Sequence, residues 1–519
     1  MKYPPQAIVF YLKEDLISVK GNIDQGNQLR YLELTLKKLS SVLKGIRVYS
    51  NRKLGPAEES KKIISQLEYS DFIIIESRSE AEFFSKICDS LPDSRTGDPE
   101  WDETCFLVFD GFAPILDPAL TEELILRHEK YLAQYSYSEN LPPGIVPRIL
   151  SREFVRSLPA EYSGGTQDFL AKNINQFDTE IFYTSPDLRQ WRLDFSANNP
   201  RSFRLLSSFL KEKENWKYDE IQSFLISRPE IFRSAPSYYE VELYRGCEYE
   251  CNFCPRQNLK PEDDNIILDP QVLEKLLSQA ENLGLPYSVC FGGLGEPTLH
   301  PKFSELVQKT LASANLKELF IESALYGDLS GFIKLLSSLK EEEKKKVSLI
   351  VNMTTRDKKA YSLLYGKDNL DKVLQNLTAI SQVLPKSSIH LQFLKIQEVD
   401  PELDSWYEQA QKEGYEIILQ KYNSYSDVLP QRRASDLTPL GRDFCWHISR
   451  DIYLNADGQV SICKQTPGSK KHSIGNLNQD SLEQIWAKGN PFFTSSAKGA
   501  HESIPAPCLS CDEWYTFNA

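Results

Sequence analysis

Short apolar runs alternate with amphipathic stretches along residues 1–235. The apolar runs have the length of β-strands and lie at Ile8–Leu12, Ile46–Tyr49, Phe72–Glu76 and Phe106–Phe109. Between the first two runs, leucines spaced from Leu29 to Leu39 suit the apolar face of a helix. Strands that alternate with helices predict a mostly parallel, doubly wound α/β sheet for this part of the chain.

A second alternation begins at Tyr239. Its apolar runs are Tyr239–Leu243, Tyr287–Phe291, Glu318–Glu322, Val347–Val351, Ile389–Leu394 and Tyr415–Gln420. Helical patterns such as Pro270–Leu283 and Phe303–Ala314 separate them. This arrangement predicts a partial (β/α)6 barrel of the TIM type, whose chemistry lies at the carboxyl ends of the strands.

The last part of the chain has a different pattern. Apolar runs at Ile452–Leu454 and Val460–Ile462 flank Asp457-Gly458, which predicts a β-hairpin. Pro and Ser enrichment around Arg228–Ser237 indicates a linker. We therefore expect three domains, at residues 1–235, 236–430 and 431–519.

Charge and hydropathy exclude several classes of protein. The net charge of −13 argues against a nucleic-acid partner, which favours a basic surface. The sequence lacks an apolar run of about 18 residues, so we expect no association with a membrane. Glu14 and Asp15 interrupt the apolar stretch near the N-terminus, and we therefore expect no signal peptide and a cytoplasmic protein.

Most of the ten cysteines form two groups, at 247–254 and 445–511. The first group follows a predicted strand and has C-x3-C-x2-C spacing, formed by Cys247, Cys251 and Cys254. Three thiolates can hold three irons of a [4Fe–4S] cluster, which leaves the fourth iron open for a substrate or cofactor. A structural zinc site is the alternative, but such sites are usually closed by four ligands.

This motif resembles the signature of the radical S-adenosylmethionine (SAM) superfamily. The resemblance implies that Phe253 lies near the SAM adenine. Gly292, Gly293 and Glu296 resemble the superfamily's glycine–glycine–glutamate motif, in which glycines allow close backbone approach and a carboxylate can pair with the SAM amino group. A glycine-rich turn with no ligand is the alternative for these residues taken alone.

Two further residues are candidates for SAM contacts. Asn352 ends the fourth predicted barrel strand, where similar proteins place a small polar residue near the SAM ribose. Gln392, on the fifth strand, can point into the barrel because strand residues alternate inward and outward. For both residues, a structural hydrogen bond is an equally good interpretation.

The resemblance implies a mechanism. The reduced cluster would pass an electron to SAM, which would split into methionine and a 5′-deoxyadenosyl radical, and that radical would take a hydrogen atom from the substrate. We therefore expect SAM as a cofactor and a small electron donor, such as flavodoxin or ferredoxin, as a partner.

The second group contains four cysteines, Cys445, Cys463, Cys508 and Cys511. Four thiolates complete the ligand set of one auxiliary [4Fe–4S] cluster, or of one zinc ion. The stretch from Ile452 to Cys463, with Ile474–Leu477 and Leu482–Trp486, resembles the SPASM extension of radical SAM enzymes. That resemblance favours an auxiliary iron–sulfur cluster. His447 could donate a hydrogen bond to a cluster ligand, but a surface or capping residue is the preferred interpretation.

The N-terminal domain resembles the cytidylyltransferase-like nucleotidyltransferases. The resemblance is carried by Phe106–Pro118, where a strand ends in Asp110, and it implies that Asp110 binds Mg²⁺. Those enzymes grip nucleotide phosphates with a glycine-rich basic loop, whereas Leu16–Asn27 lacks that signature. We therefore expect a degenerate domain used in substrate binding or assembly.

The order of the three domains resembles the spiro-SPASM family. The first functional hypothesis is a radical SAM enzyme that modifies a peptide or protein side chain. The second is a radical SAM oxidoreductase that acts on a sugar, a nucleotide-linked metabolite or another small molecule. The third is a non-enzymatic scaffold whose cysteines bind zinc.

Overall fold

The computed structural model describes residues 2–12, 25–53, 57–93, 102–259, 265–434, 438–466 and 472–516. The chain forms two compact units, Met1–Ile231 and Phe232–Ala519. The boundary between the units falls within the segment Arg228–Ser237, where proline and serine indicate a linker. None of the described helices is long and apolar enough to cross a membrane.

A mixed sheet forms the centre of the first unit. Its strands are β1 (Ala7–Phe10), β2 (Arg47–Ser50), β3 (Asp71–Ile74), β4 (Cys105–Phe109), β5 (Tyr135–Ser138), β6 (Arg148–Ser151) and β7 (Thr179–Phe182), in the order β3-β2-β1-β4-β6-β5-β7. Strands β1 to β4 pair in parallel, as their alternation with helices predicts. Strand β6 runs antiparallel to both β4 and β5, so the sheet is not parallel throughout.

Helices of the first unit connect these strands. They are α1 (Gln25–Leu39), α2 (Ala57–Gln66), α3 (Glu80–Ser90), α4 (Pro118–Lys130), α5 (Arg152–Arg156), α6 (Thr166–Asn173), α7 (Pro200–Glu212) and α8 (Tyr218–Ser227), and α9 (Pro229–Phe232) contains the boundary. Asp117 begins α4 because its carboxylate accepts hydrogen bonds from the next free backbone amides, and Pro118 has the helical φ already set. Strand β4 is buried along its whole length, which places its carboxyl end at a fixed position.

The second unit contains a longer sheet and a short ribbon. The sheet strands are β8 (Tyr238–Val241), β11 (Tyr287–Phe291), β12 (Leu316–Ser323), β13 (Val347–Asn352), β14 (Ile389–Lys395), β15 (Glu416–Lys421), β16 (Asp451–Leu454), β17 (Gln459–Ser461) and β18 (Ser473–Asn476). Their order is β15-β14-β13-β12-β11-β8-β16-β17-β18. The ribbon pairs β9 (Tyr244–Arg245) with β10 (Ile266–Ile267).

The six strands from β8 to β15 in this sheet all pair in parallel, and each corresponds to a strand predicted from the sequence. The helices of the unit are α10 (Arg256–Leu259), α11 (Pro270–Asn282), α12 (Phe303–Leu311), α13 (Ser330–Ser338), α14 (Glu341–Lys344), α15 (Lys358–Tyr365), α16 (Leu370–Ser381), α17 (Leu403–Glu413), α18 (Trp446–Arg450), α19 (Leu482–Lys488), α20 (Asn490–Ala497) and α21 (Ala506–Ser510). Parallel strands joined by helices bring their carboxyl ends to one edge of the sheet.

The C-terminal strands continue the same sheet. Strand β16 pairs in parallel with β8, and the predicted hairpin is confirmed by the antiparallel pairing of β16 with β17. Gly458 has φ +82° in the turn, a conformation that glycine adopts without strain. The residues predicted to form separate domains at 236–430 and 431–519 therefore share one sheet within one compact unit.

Candidate active site

A cavity of about 450 Å³ opens among the parallel strands of the second unit. Alternate residues of these strands line it, as the alternation of side chains along a strand requires, and Lys421 at the end of β15 lines it as well. The strand residues on its wall are Tyr238, Glu240, Cys290, Phe320, Glu322, Ile350, Asn352, Gln392, Leu394, Ile418, Gln420, Lys421 and Tyr453. The cavity is therefore polar and apolar in turn, with two carboxylates on its wall.

The loop that carries the first cysteine group lies beside this cavity. Cys254 lines the cavity together with Phe253 and Pro255. The loop backbone is attached to the end of α15, because the amide of Glu250 donates to the carbonyl of Tyr365 at 3.1 Å. The amide of Cys254 donates to the carbonyl of Cys251 at 3.1 Å and closes a turn within the motif.

Aromatic side chains that the motif does not reveal surround this loop. The rings of Tyr249 and Tyr326 lie 4.2 Å apart between centroids, and the hydroxyls of Tyr249 and Tyr361 are 2.9 Å apart. Phe253 packs edge-on against Tyr365 at 5.2 Å. The hydroxyl of Tyr326 also donates to Cys247 Sγ. These contacts hold the loop in a shielded, largely apolar environment.

Burial raises the pKa of all three thiols of this loop, and that of Cys254 rises to about 11. Thiols in such surroundings stay protonated unless a strongly positive centre stabilises their thiolates. Iron supplies that charge in an iron–sulfur cluster. Three cysteines on one loop, with Cys254 at the cavity wall, therefore fit a cluster held by three thiolates.

The predicted glycine motif packs directly against the cysteine loop. The amide of Glu296 donates to the carbonyl of Gly246 at 2.9 Å. A Cβ on Gly295 would lie 1.9 Å from the carbonyl oxygen of Tyr244, so only glycine allows this approach. Gly293 lines the cavity with φ +104°, whereas Gly292 packs beside Glu322.

The Glu296 side chain is held by hydrogen bonds from other groups of the protein. Its carboxylate accepts hydrogen bonds from the Thr298 hydroxyl at 2.6 Å, the Ser323 hydroxyl at 2.7 Å and the Ala324 amide at 2.9 Å. Burial raises its pKa, while these hydrogen bonds act in the opposite direction. Glu296 is not among the residues that line the cavity, so its contact with the SAM amino group stays a prediction.

Asn352 and Gln392 both lie on the cavity wall, on neighbouring strands. The side-chain amide of Gln392 donates to Gln420 at 2.9 Å. Its Oε1 atom is buried and accepts no hydrogen bond from any residue that the structure describes. Both positions can therefore contact a ligand, although contact with SAM itself stays a prediction.

Two lysines line the same cavity. The ammonium of Lys421 lies 2.7 Å from Glu513 and 3.1 Å from Asp512, the two residues that follow Cys511. Lys464 directly follows Cys463 in the sequence. The cavity that contains Cys254 is therefore bordered by Lys464, the neighbour of Cys463, and by Lys421, whose ion-pair partners follow Cys511.

The second cysteine group is assembled around one small cavity. Cys445, Cys463, Cys508 and Cys511 all line it. Backbone amides point at two of the sulfurs, because Gln465 donates to Cys463 at 3.4 Å and Glu513 donates to Cys511 at 3.3 Å. Burial raises the pKa of all four thiols. The donor set fits a cluster with four thiolate ligands.

His447 lies next to this group but has other partners. Its Nδ1 is 2.5 Å from Asp451, and its Nε2 is 3.2 Å from the Thr516 hydroxyl. The side chain is buried, so the interpretation as a surface residue was wrong. With both ring nitrogens in hydrogen bonds, His447 fixes the position of α18 rather than adding a fifth ligand.

In the first unit, Asp110 follows β4 and lines a cavity of about 190 Å³. Its carboxylate lies 2.5 Å from the guanidinium of Arg148, which also donates to Tyr135 and Thr166 at 2.7 Å. Among the described residues, Asp110 is not grouped with two further His, Cys, Asp or Glu side chains as ligands of a metal ion. Metal binding by Asp110 stays a prediction, and most of Leu16–Asn27 lies outside the described residues.

Family models match both parts of the second unit. Residues 241–402 match the radical SAM superfamily, and residues 445–512 match SPASM, an iron–sulfur cluster-binding domain. The chain is a radical SAM enzyme. These domains imply a SAM-binding [4Fe–4S] cluster, an auxiliary cluster and SAM as its cofactors, and the two cysteine groups described above fit them.

Individual relatives of this radical SAM enzyme are distant. An uncharacterized protein of Treponema pallidum (strain Nichols) is 26% identical over 67% of this chain and 96% of its own length. A probable GTP 3′,8-cyclase of Pyrococcus horikoshii is 22% identical over 30% of this chain and 46% of its own. The structure of Streptococcus suis SuiB bound to precursor peptide SuiA covers 67% of this chain and 83% of SuiB, with 14% identity and a TM-score of 0.42.

The sequence analysis missed several residues at the radical SAM site. Glu240 and Glu322 lie on the cavity wall, and Tyr326 contacts a cysteine of the first group. Glu240 could have been predicted from the sequence, because charged residues alternate with apolar ones through Tyr238–Glu242. Tyr326 lies in a loop after β12, where no periodic pattern indicates the direction of a side chain.

Proposed function

We propose that this enzyme cleaves SAM at the Cys247, Cys251 and Cys254 site and modifies a peptide or protein side chain. The observation that carries the proposal is one cavity bordered both by Cys254 and by Lys464, the neighbour of Cys463. When bound, the cluster and SAM supply a 5′-deoxyadenosyl radical that abstracts a hydrogen atom from the substrate. The protein's own contribution is to bind, orient and shield the reactants.

The residues on the cavity wall have separate roles in this proposal. Phe253 lies against the adenine of SAM, and Asn352 and Gln392 bind its polar groups. The backbone of Gly292 and Gly293 approaches SAM closely, while Glu296 holds the glycine loop through Ser323 and Ala324. Packing of the tyrosines around the cysteine loop excludes water from the site.

The second cysteine group serves electron transfer in this proposal. Four thiolate ligands would leave no position for a substrate on a cluster held there, so the chemistry such a cluster would supply is electron transfer. A small protein such as flavodoxin or ferredoxin is proposed as the electron donor. We also propose that the chain belongs to the spiro-SPASM family. The support is that the Treponema relative matches 67% of this chain over 96% of its own length.

A second candidate is an oxidoreductase for a sugar or nucleotide-linked metabolite. The cavity of the first unit favours it, because Asp110, Arg148 and Asn198 give that cavity a polar wall. A nucleotidyltransferase-like domain that has lost catalysis would then bind part of the substrate. Titration of the full chain with nucleoside diphosphate sugars tests this candidate, and absence of binding with or without Mg²⁺ would exclude it.

Metal analysis and SAM cleavage test the main proposal. Anaerobically purified protein should contain about eight irons with matching sulfide, whereas zinc without sulfide contradicts the proposal. Replacement of Cys247, Cys251 and Cys254 by Ala should abolish formation of 5′-deoxyadenosine. Cys88→Ala, a buried cysteine of the first unit, is the matched control and should leave both readouts unchanged. Wild-type rates in the triple variant would refute the assignment.

A further inference from the structure

Two carboxylates face the active-site cavity from either side of β11. Glu240 on β8 is paired in register with Cys290, and Glu322 lies on β12, the other neighbour of β11. Between the two carboxylates lie Cys290 on β11 and Gly292 at its end, and both have small side chains. A Cβ on Gly292 would lie 3.3 Å from Glu322 Oε2 and 3.4 Å from Cys290 Sγ. The sheet therefore leaves a space between the two carboxylates.

The charges around this space do not balance. Lys464 is the cation whose charge acts most strongly on Glu240, and the charges of Glu240, Glu513 and Glu322 all act on Lys464, so one ammonium faces more than one carboxylate. Lys421, the other lysine of the cavity, is held by Asp512 and Glu513. Among the residues that the structure describes, none forms a side-chain hydrogen bond or an ion pair with the carboxylate of Glu240 or Glu322. A second cation on a ligand would restore the balance.

A separate observation shows that the cavity is built for a polar ligand. The hydroxyl of Tyr453 lies at the cavity wall on a side chain that is 2% exposed. No described residue is a hydrogen-bond partner of this hydroxyl. A buried polar group without a partner is unfavourable, so its presence beside a cavity indicates a partner on the ligand.

We propose that Glu240 and Glu322 bind a protonated amine of the substrate, with Tyr453 as an additional hydrogen-bonding group. The inference rests on the proposed function and narrows its substrate to molecules that carry a cationic amine. Such an amine can come from a lysine side chain of a peptide or from an amino sugar. Both sources present the same charge, and the two carboxylates recognise that charge.

The test uses the full chain with both clusters and SAM, at pH 8. This pH lies above the pKa of about 7 to which burial raises Glu240. Binding of Nα-acetyl-lysine N-methylamide is compared by calorimetry with its norleucine analogue. Methyl 6-amino-6-deoxyglucoside, an amino sugar whose primary alkyl amine is protonated at this pH, is compared with methyl glucoside. Wild-type protein should bind one amine at least about tenfold more tightly than its neutral analogue, as a charge-assisted hydrogen bond provides.

Variants test whether the two carboxylates cause the tighter binding of the amine. The ratio of affinities should fall to about one in the E240Q/E322Q double variant, because the amide side chains keep the shape and remove the charge. Glu416→Gln is the matched control, since Glu416 is an exposed carboxylate on β15, and it should keep the wild-type ratio. Preference for the lysine probe assigns a peptide source, and preference for the aminodeoxyglucoside assigns a sugar source.

Two outcomes would overturn this inference. The first is wild-type protein that binds neither amine more tightly than its neutral analogue. The second is a loss of SAM affinity in E240Q/E322Q as large as the loss of amine affinity, because the carboxylates would then serve SAM. Formation of 5′-deoxyadenosine is measured in the same wild-type samples, so failure of SAM cleavage is recognised separately from failure of amine binding.

Discussion

The hydroxyl of Tyr326 donates a hydrogen bond of 3.4 Å to the sulfur of Cys247. A hydrogen bond to a ligand sulfur stabilises the more negative, reduced state of a cluster and raises its reduction potential. Tyr326→Phe should therefore lower the midpoint potential of the SAM-binding cluster by on the order of tens of millivolts. Redox titration followed by electron paramagnetic resonance measures this shift.

Tyr361→Phe provides the control for this prediction. Tyr361 belongs to the same aromatic group and contacts the hydroxyl of Tyr249, and its hydroxyl forms no hydrogen bond to a cysteine sulfur among the described residues. Its replacement should leave the potential unchanged. Equal shifts in both variants would attribute the effect to packing of the rings and not to the hydrogen bond.

The contact between the two signature loops predicts a steric effect. A Cβ on Gly295 would lie 1.9 Å from the carbonyl oxygen of Tyr244 and 2.6 Å from the amide of Gly246. Both atoms belong to backbone, so Gly295→Ala must displace the start of the cysteine loop, at a cost of about 1–3 kcal/mol or more. We expect lower iron content at the first site and weaker SAM binding.

Gly441→Ala is the matched substitution, because a Cβ there meets no atom within 4 Å. Iron content, SAM affinity and melting temperature should all remain at wild-type values in that variant. If Gly295→Ala also retains full iron and SAM affinity, the two loops do not depend on each other.

Strands β1 to β4 of the first sheet and the six parallel strands of the second follow from local pattern. Strands β5, β6 and β7 and the environment of several site residues do not. Each of the six predicted barrel strands is present because burial and alternation are properties of a few adjacent residues. Glu296 differs, since its carboxylate is held by Ser323 and Ala324 at the end of the next strand. Spacing along the chain contains no information about partners that only the folded sheet brings together.

Asp110 shows the same limit in the first unit. A strand-end carboxylate is typical of a metal site, and the sequence alone offers no reason to connect it with Arg148, on a strand that runs antiparallel to its own. The cysteine groups were predictable for the opposite reason. Cys247, Cys251 and Cys254 are close in sequence, so their chemistry depends on one loop and not on the whole fold.

Loss of one cysteine of the second group should remove the iron of that site and leave the iron of the first site in place. Cys508→Ala should reduce iron from about eight to about four per chain, because a cluster that loses one of four thiolates is weakly held. SAM cleavage should persist, while turnover of substrate should fall, since electrons could no longer pass through the auxiliary cluster. Iron analysis and 5′-deoxyadenosine yield measure the two effects; loss of all iron would mean that the sites assemble together.

Asp110 and Arg148 form an ion pair whose removal should destabilise the first unit. Burial alone would lower the pKa of Arg148, but the charge of Asp110, together with Tyr135 and Glu80, outweighs burial and the pKa is raised. Asp110→Asn leaves a buried guanidinium without its counter-charge, which should reduce the free energy of unfolding by about 3 kcal/mol. Asp187→Asn breaks the exposed pair with Arg189 and should change stability by less than about 1 kcal/mol.

Magnesium distinguishes this structural role from the predicted metal site. If Arg148 supplies the positive charge that Asp110 requires, Mg²⁺ should not raise the melting temperature of the wild-type protein. Stabilisation by Mg²⁺ in the wild type that disappears in Asp110→Asn would instead identify Asp110 as a metal ligand. The measurement therefore decides whether Asp110 at the carboxyl end of β4 binds a metal ion or is neutralised by Arg148 instead.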